Sequence, residues 1–148
     1  MTDTPASDAP PAAPGSDLPR GRTPPLDPAV ADRTFGDGVS HFNGVRYWHA
    51  HESWETLWRA ADDEERPFYQ GLIQVAAGLL HLQRRNRRGA LTKLEEGVAK
   101  LSPYQPAHRG IFVNELVARA ERIVGDLRSG HIPYLIPPVI RYTELDGP

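Results

Sequence analysis

The chain has 148 residues, 17 lysines and arginines against 19 aspartates and glutamates, and no cysteine. That length suits one domain with one core. A net charge of −2 gives no electrostatic reason to expect a nucleic acid or an anionic membrane as partner, and the lack of thiols excludes a disulfide scaffold, a cysteine nucleophile and any zinc site built on cysteine.

Eight of the 15 prolines fall within the first 28 residues, among Ala, Asp, Ser and Gly. Such a stretch has almost no apolar surface to offset the entropy of ordering it, so residues 1–26 read as a disordered tail. A domain follows over 27–141, with 142–148 as a short C-terminal tail. Residues 1–28 hold four acids and two bases; removing them from the totals leaves 15 of each sign, so the domain is formally neutral. The N-terminus has neither a basic n-region nor an apolar h-region, and the longest apolar run, Val75 to Leu80, is too short to cross a bilayer. A cytoplasmic location is expected, with no membrane partner.

Five helices follow by period. Asp27 is a good N-cap and Pro28 suits the first helical position of a helix running to about Phe42. It sets Ala31, Phe35, Val39 and Phe42 on one face, although Gly36 and Gly38 weaken it. Asn43-Gly44 is a turn signal. The second helix covers about Val45 to Ala61 and the third about Pro67 to Arg85. Asn86 caps a fourth that aligns Ala90, Leu94, Val98 and Leu101. A loop from Ser102 to Gly110 leads to a fifth, which turns Val113, Leu116, Val117, Ala120, Ile123, Val124 and Leu127 inward and ends at Gly130. Three prolines keep Ile132 to Ile140 from being helical, and its apolar content predicts that it packs back over the bundle in extended form. Short connections imply an all-α, up-and-down antiparallel bundle.

Helix two carries polar residues where a buried face is expected. At 100° per residue Tyr47, His51, Trp54 and Trp58 share one side, with Trp48 and Glu55 beside them, and the three tryptophans read as core. His51 and Glu55, four apart, are neighbours. Helix three is apolar around most of its circumference except for a strip of Gln70, Gln74 and His81, flanked by Gly71, Ala77 and Gly78. Small residues there let another helix or a ligand approach the backbone. Buried amides and imidazoles need partners, and the His51/Glu55 pair is the nearest supply in the sequence.

These residues form a recognisable pattern. Phe42-Asn43, then Tyr47-Trp48-x-Ala50-His51-Glu52-x-x-Glu55-x-Leu57-Trp58-Arg59, then Tyr69-Gln70-Gly71-Leu72-Ile73-Gln74-x-Ala76-Ala77, then His81 and Gly89-Ala90-Leu91 resemble an uncharacterised prokaryotic family, the domain of unknown function 309. The resemblance runs from about Phe42 to Leu101, with a weaker echo in Ile136-Pro-Pro-Val-Ile140. It implies a helical bundle and no particular activity. Trp54 departs from the pattern, which more often has an aliphatic residue there.

The functional readings divide three ways. A buried His–Glu–Gln–His network can satisfy itself and fix how two helices pair; this structural or interaction module, with a small ligand at His51, Glu52, Glu55, Trp58, Gln70, Gln74 and His81, ranks first. An enzyme ranks second, with His51 and Glu55 as acid/base pair. His51-Glu52-x-x-Glu55 fails the His-Glu-x-x-His zinc motif at its last position, and no cofactor is predicted, but His51, Glu55 and His81 are ligand types that suit zinc, iron or manganese, so a transition metal stays open. Phosphate or nucleic-acid binding through Arg84, Arg85, Arg87 and Arg88 ranks last, since Arg84 and Arg85 also complement the negative end of helix three and the domain is formally neutral. His41, His49, His108 and His131 show no constellation. A homo-oligomer is left open.

Overall fold

The computed structural model describes residues 21–133 and 136–144. The expected tail at 1–20 and the closing residues 145–148 lie outside them. The fold is an all-α bundle of helices α1 (Pro28–Asn43), α2 (Tyr47–Ala60), α3 (Arg66–Gln83), α4 (Arg87–Leu101) and α5 (Val113–Arg128). Each helix packs on its neighbour in the chain. The two expected side-chain caps form: Asp27 accepts from the Ala29 N–H and Asn86 from the Gly89 N–H, each satisfying a donor that the helix leaves unpaired.

Helices α2 and α3 are shorter than their apolar periods suggest. Val45 and Arg85 take left-handed backbone, at φ +65° and +61°. The next amides, of Arg46 and Asn86, donate back to the carbonyls of His41 and His81, each at 2.8 Å. These are Schellman stops built without glycine. Gly130, at φ +79°, makes the stop that the sequence announces at the end of α5.

Between α4 and α5 a single 3-10 turn (Ser102–Tyr104) leads to a small hairpin, β1 (Ala107–His108) and β2 (Ile111–Phe112), paired antiparallel. Alternation at period two cannot reveal strands of two residues. Both turn residues, Arg109 and Gly110, have positive φ, as the tightest hairpin turns require. The last segment adds a bridge from Tyr142 to Ile111 and returns over the bundle as expected. Asn43 clamps it: its Nδ2 donates to the Ile140 carbonyl at 3.0 Å, and the Ile140 N–H donates to its Oδ1 at 2.8 Å. Ile140 is buried, whereas Ile132, Ile136 and Val139 are exposed.

The core is continuous from Phe35, Val39 and Phe42 through Trp54 and Phe68 to Leu94, Leu116 and Ile140. Two close approaches shape it. A methyl on Gly38 would lie 2.6 Å from Cδ1 and Cε2 of Trp54 and nearer still to Nε1, so the residue that weakens α1 is the one that admits the indole. Between α3 and α4, a methyl on Gly71 would strike Leu101, one on Gly78 would strike Leu94, and one on Gly97 would strike Val75. Contacts that fall along α4 as they rise along α3 mark an antiparallel pair in close register.

Residues 22–26 correct the expected tail boundary. The Thr23 N–H donates to the Arg59 carbonyl at 2.9 Å, Arg22 pairs with Asp63, and Leu26 packs on the core. The apolar side chain of Leu26 and the end of α2 supply the surface and acceptors that composition alone does not show.

Candidate functional site

The two polar strips do not meet. Gln74 is buried, but its Nε2 donates to Oε1 of Glu96 on α4 at 3.3 Å, and Lys93 holds the same oxygen from 3.3 Å. His81 Nδ1 lies 3.1 Å from the Asn86 amide at the start of α4. Gln74 and His81 therefore face α4, because the glycine notches at 71 and 78 receive α4 leucines. The expected network with α2 does not form among the described residues.

On α2, the His51 ring stacks on Trp48 with centroids 5.2 Å apart, and its Nδ1 is buried without a protein partner. Trp48 is 50% exposed, which corrects its assignment to the core; Trp54 is fully buried and Trp58 half-buried. Glu55 pairs with Arg59 at 3.4 Å, and the two share an open hollow of about 430 Å³ with Thr23, Glu52 and Thr56. No group of three His, Asp or Glu side chains among the described residues is placed to hold a metal ion. His51, Glu55 and His81 are thus not brought together as a ligand set, since His81 belongs to the α3–α4 seam.

Trp58 and Gln70 do converge, at the junction of α2 and α3. With Arg22, Asp63, Arg66, Pro67 and Lys100 they line a hollow of about 340 Å³. The Arg66 guanidinium lies over the Trp58 ring, 4.1 Å from its centroid, a stacking that fixes a cation at a partly desolvated surface. Burial, and next the neighbouring Arg22 charge, make Arg66 give up its proton more readily than an ordinary arginine. Asp63 is held below the usual carboxylate range by its hydrogen bond and charge contact with Arg22. Of the acidic run 62–65, Asp63 alone lines this hollow. Asp62 accepts from the Glu65 N–H at 3.0 Å, and Glu65 turns to His108.

The four clustered arginines are all exposed, at the α3–α4 turn. Arg87, though exposed, also reaches the end of α5, its Nη2 donating to the carbonyls of Leu127 at 3.3 Å and His131 at 3.1 Å. A cation at a helix C-terminus satisfies open carbonyls and complements the dipole.

Sequence reasoning misses a further polar cluster. His108 Nε2 lies 2.9 and 3.0 Å from the two Glu65 oxygens, and its ring packs against Phe68 and Tyr104 at 4.7 and 4.8 Å. Beside it, Arg109 pairs with Asp32 at 3.0 Å and sits 5.0 Å over the Phe35 ring, and burial raises the pKa of Tyr69. These contacts bind the hairpin to α1 and α3. The one local signal is the Arg109-Gly110 turn; the ion-pair partners Glu65 and Asp32 lie 43 and 77 residues away in sequence.

Residues 35–92 match the family model described as Domain of unknown function (DUF309), which bears out the resemblance carried by the motifs from Phe42 onward. The match takes in Trp58, Arg66 and Gln70 and leaves out Arg22 and Lys100. No curated protein matches the chain.

Proposed function

We propose that the DUF309 segment of this chain, with the residues that flank it, is a helical module that binds a small ligand in the hollow at the junction of α2 and α3. The observation behind this reading is the convergence there of Trp58, Arg66 and Gln70. Specific small-molecule sites combine apolar or aromatic walls with a few convergent polar groups, in clefts of roughly 300–1,000 Å³. Trp58 supplies the wall. The Gln70 amide has no hydrogen-bond partner among the described residues, and a free amide both donates and accepts. An acid/base role for His51 and Glu55 has less support, because Glu55 is paired with Arg59 and the buried His51 Nδ1 has no protein partner to orient the ring. The exposed arginines also have less support, because Arg87 is engaged by α5.

The reading is tested by screening metabolites for a rise in thermal midpoint, then repeating each hit on Gln70→Ala and Trp58→Phe. Hits that lose at least tenfold in affinity in both variants support it. Hits indifferent to both, or no hit at all, refute it.

A further inference from the structure

Resting on that reading, we infer that the ligand carries an oxyanion, a phosphate or carboxylate group, which Arg66, Lys100 and Gln70 bind together.

Arg22, Arg66 and Lys100 line the hollow against the single carboxylate of Asp63, and Asp63 is already paired with Arg22. Among the described residues Arg66 and Lys100 make no close ion pair; Asp63 acts on Arg66 only at longer range, and its one carboxylate against three cations leaves the wall with a net charge of +2. Gathering like charges on a partly buried surface is unfavourable unless an anion offsets it. Desolvation sharpens the point, since the Nε atoms of Arg22 and Arg66 are buried and without acceptors. Leaving such donors unmade costs more for charged groups than for neutral ones.

The donor set also matches the shape of an oxyanion. A guanidinium presents a planar fork of N–H groups, a lysine adds a point charge with three rotatable donors, and the Gln70 amide adds one neutral donor. The stack on Trp58 pre-orients the guanidinium, which lowers the entropy lost on binding. Two uncompensated charges on a neutral domain are too few for a nucleic-acid track, which relies on many phosphate contacts. They suit one small group carrying one or two negative charges.

The experiment titrates the full-length protein with inorganic phosphate and, separately, with succinate, reading thermal midpoint and tryptophan emission. Sodium chloride at matched ionic strength is the control. A saturable response to phosphate, to succinate or to both, beyond the chloride control, is expected, and the arm that responds identifies the oxyanion. Arg66→Gln should abolish it, and Lys100→Gln, which leaves the Trp58 stack in place, should weaken affinity about tenfold, the scale of one charge-assisted contact. A response equal to that of chloride, or one unchanged in both variants, overturns the inference. If uncharged metabolites bind in a manner dependent on Gln70 while no oxyanion does, the oxyanion inference fails and the hollow remains a ligand site. If nothing binds, both fail.

Discussion

Replacing Gly38 with alanine isolates the tightest contact in the core. In an ordinary helix interior this change stabilises by about 0.5–1 kcal/mol, because glycine has more backbone freedom to lose on folding. Here the new methyl would fall 2.6 Å from two ring atoms of Trp54, about 1 Å inside normal carbon contact. Trp54 is completely buried and packs on Phe42 with ring centroids 5.8 Å apart, so a rigid ring has nowhere to go. Overpacking of this kind costs about 1–3 kcal/mol, and a clash with several ring atoms belongs at or above the upper end. Net destabilisation of about 2 kcal/mol or more should follow, a fall of roughly 8 °C or more in thermal midpoint for a domain this size. Gly36, two residues earlier, is the control: a methyl there meets only the Tyr142 hydroxyl, at 3.7 Å, and Gly36→Ala should stabilise. Chemical denaturation of both variants measures the opposite signs. In a Trp54→Leu background the Gly38→Ala penalty should vanish, a coupling that a double-mutant cycle reads directly. A Gly38→Ala protein as stable as the parent would refute the steric argument.

Asn43→Ala removes both hydrogen bonds to Ile140 and should loosen the closing segment by about 1–3 kcal/mol locally, seen as faster amide exchange at Ile140; unchanged exchange would discount the clamp. The Glu115 pKa lies below its ordinary value because of its hydrogen bonds to Arg141, at 2.9 and 2.6 Å. A depressed folded-state pKa contributes stability above the unfolded value, and that contribution is lost as pH falls through the folded one. Acidification from about pH 6 to pH 3 should therefore loosen residues 136–142 in the parent, and less so in Glu115→Gln, in which the contact is already weakened; identical profiles would argue against the pair. A chain that starts at residue 27 should melt lower than one that starts at residue 21, because Arg22, Thr23 and Leu26 lose their contacts; equal midpoints would mean that these contacts contribute nothing.

The sequence makes the bundle legible wherever local chemistry and the fold agree. Asp27, Asn86 and Gly130 mark helix ends by side-chain or backbone rules that need no tertiary information, and all three do what those rules say. Val45 and Arg85 stop helices from positions where local rules favour glycine. A β-branched residue at positive φ is held there by its surroundings; Asn43-Gly44 announces the end of α1, but the start of α2 at Tyr47 and the end of α3 at Gln83 are not written locally. The candidate site divides the same way. The strip of Gln70, Gln74 and His81 is real as a helix face, and the expectation that small residues admit another helix is right. The partner is α4, because its leucines fit the glycines, whereas the sequence reading looks to α2 for polar groups and overlooks Glu96. Gln70, one turn earlier, escapes the seam and reaches the hollow with Trp58. His108 and Glu65 meet only through the hairpin, which no helical period predicts.

The notched seam between α3 and α4 bears on how the chain folds. The two helices are joined by a three-residue connection, Arg84 to Asn86, so their contacts close a short loop at little entropic cost. Three knobs seated in three glycine notches reward only one alignment of the pair, and a sliding mismatch leaves leucines without notches. A local hairpin with a single favoured alignment is suited to form early and serve as a template on which α2 and α5 condense. It should also be the last part of the molecule to open. Under native conditions the amides of Val75 to Leu79 and of Leu94 to Val98 are expected to exchange only through global unfolding, while those of α1 and of the closing segment exchange through smaller openings.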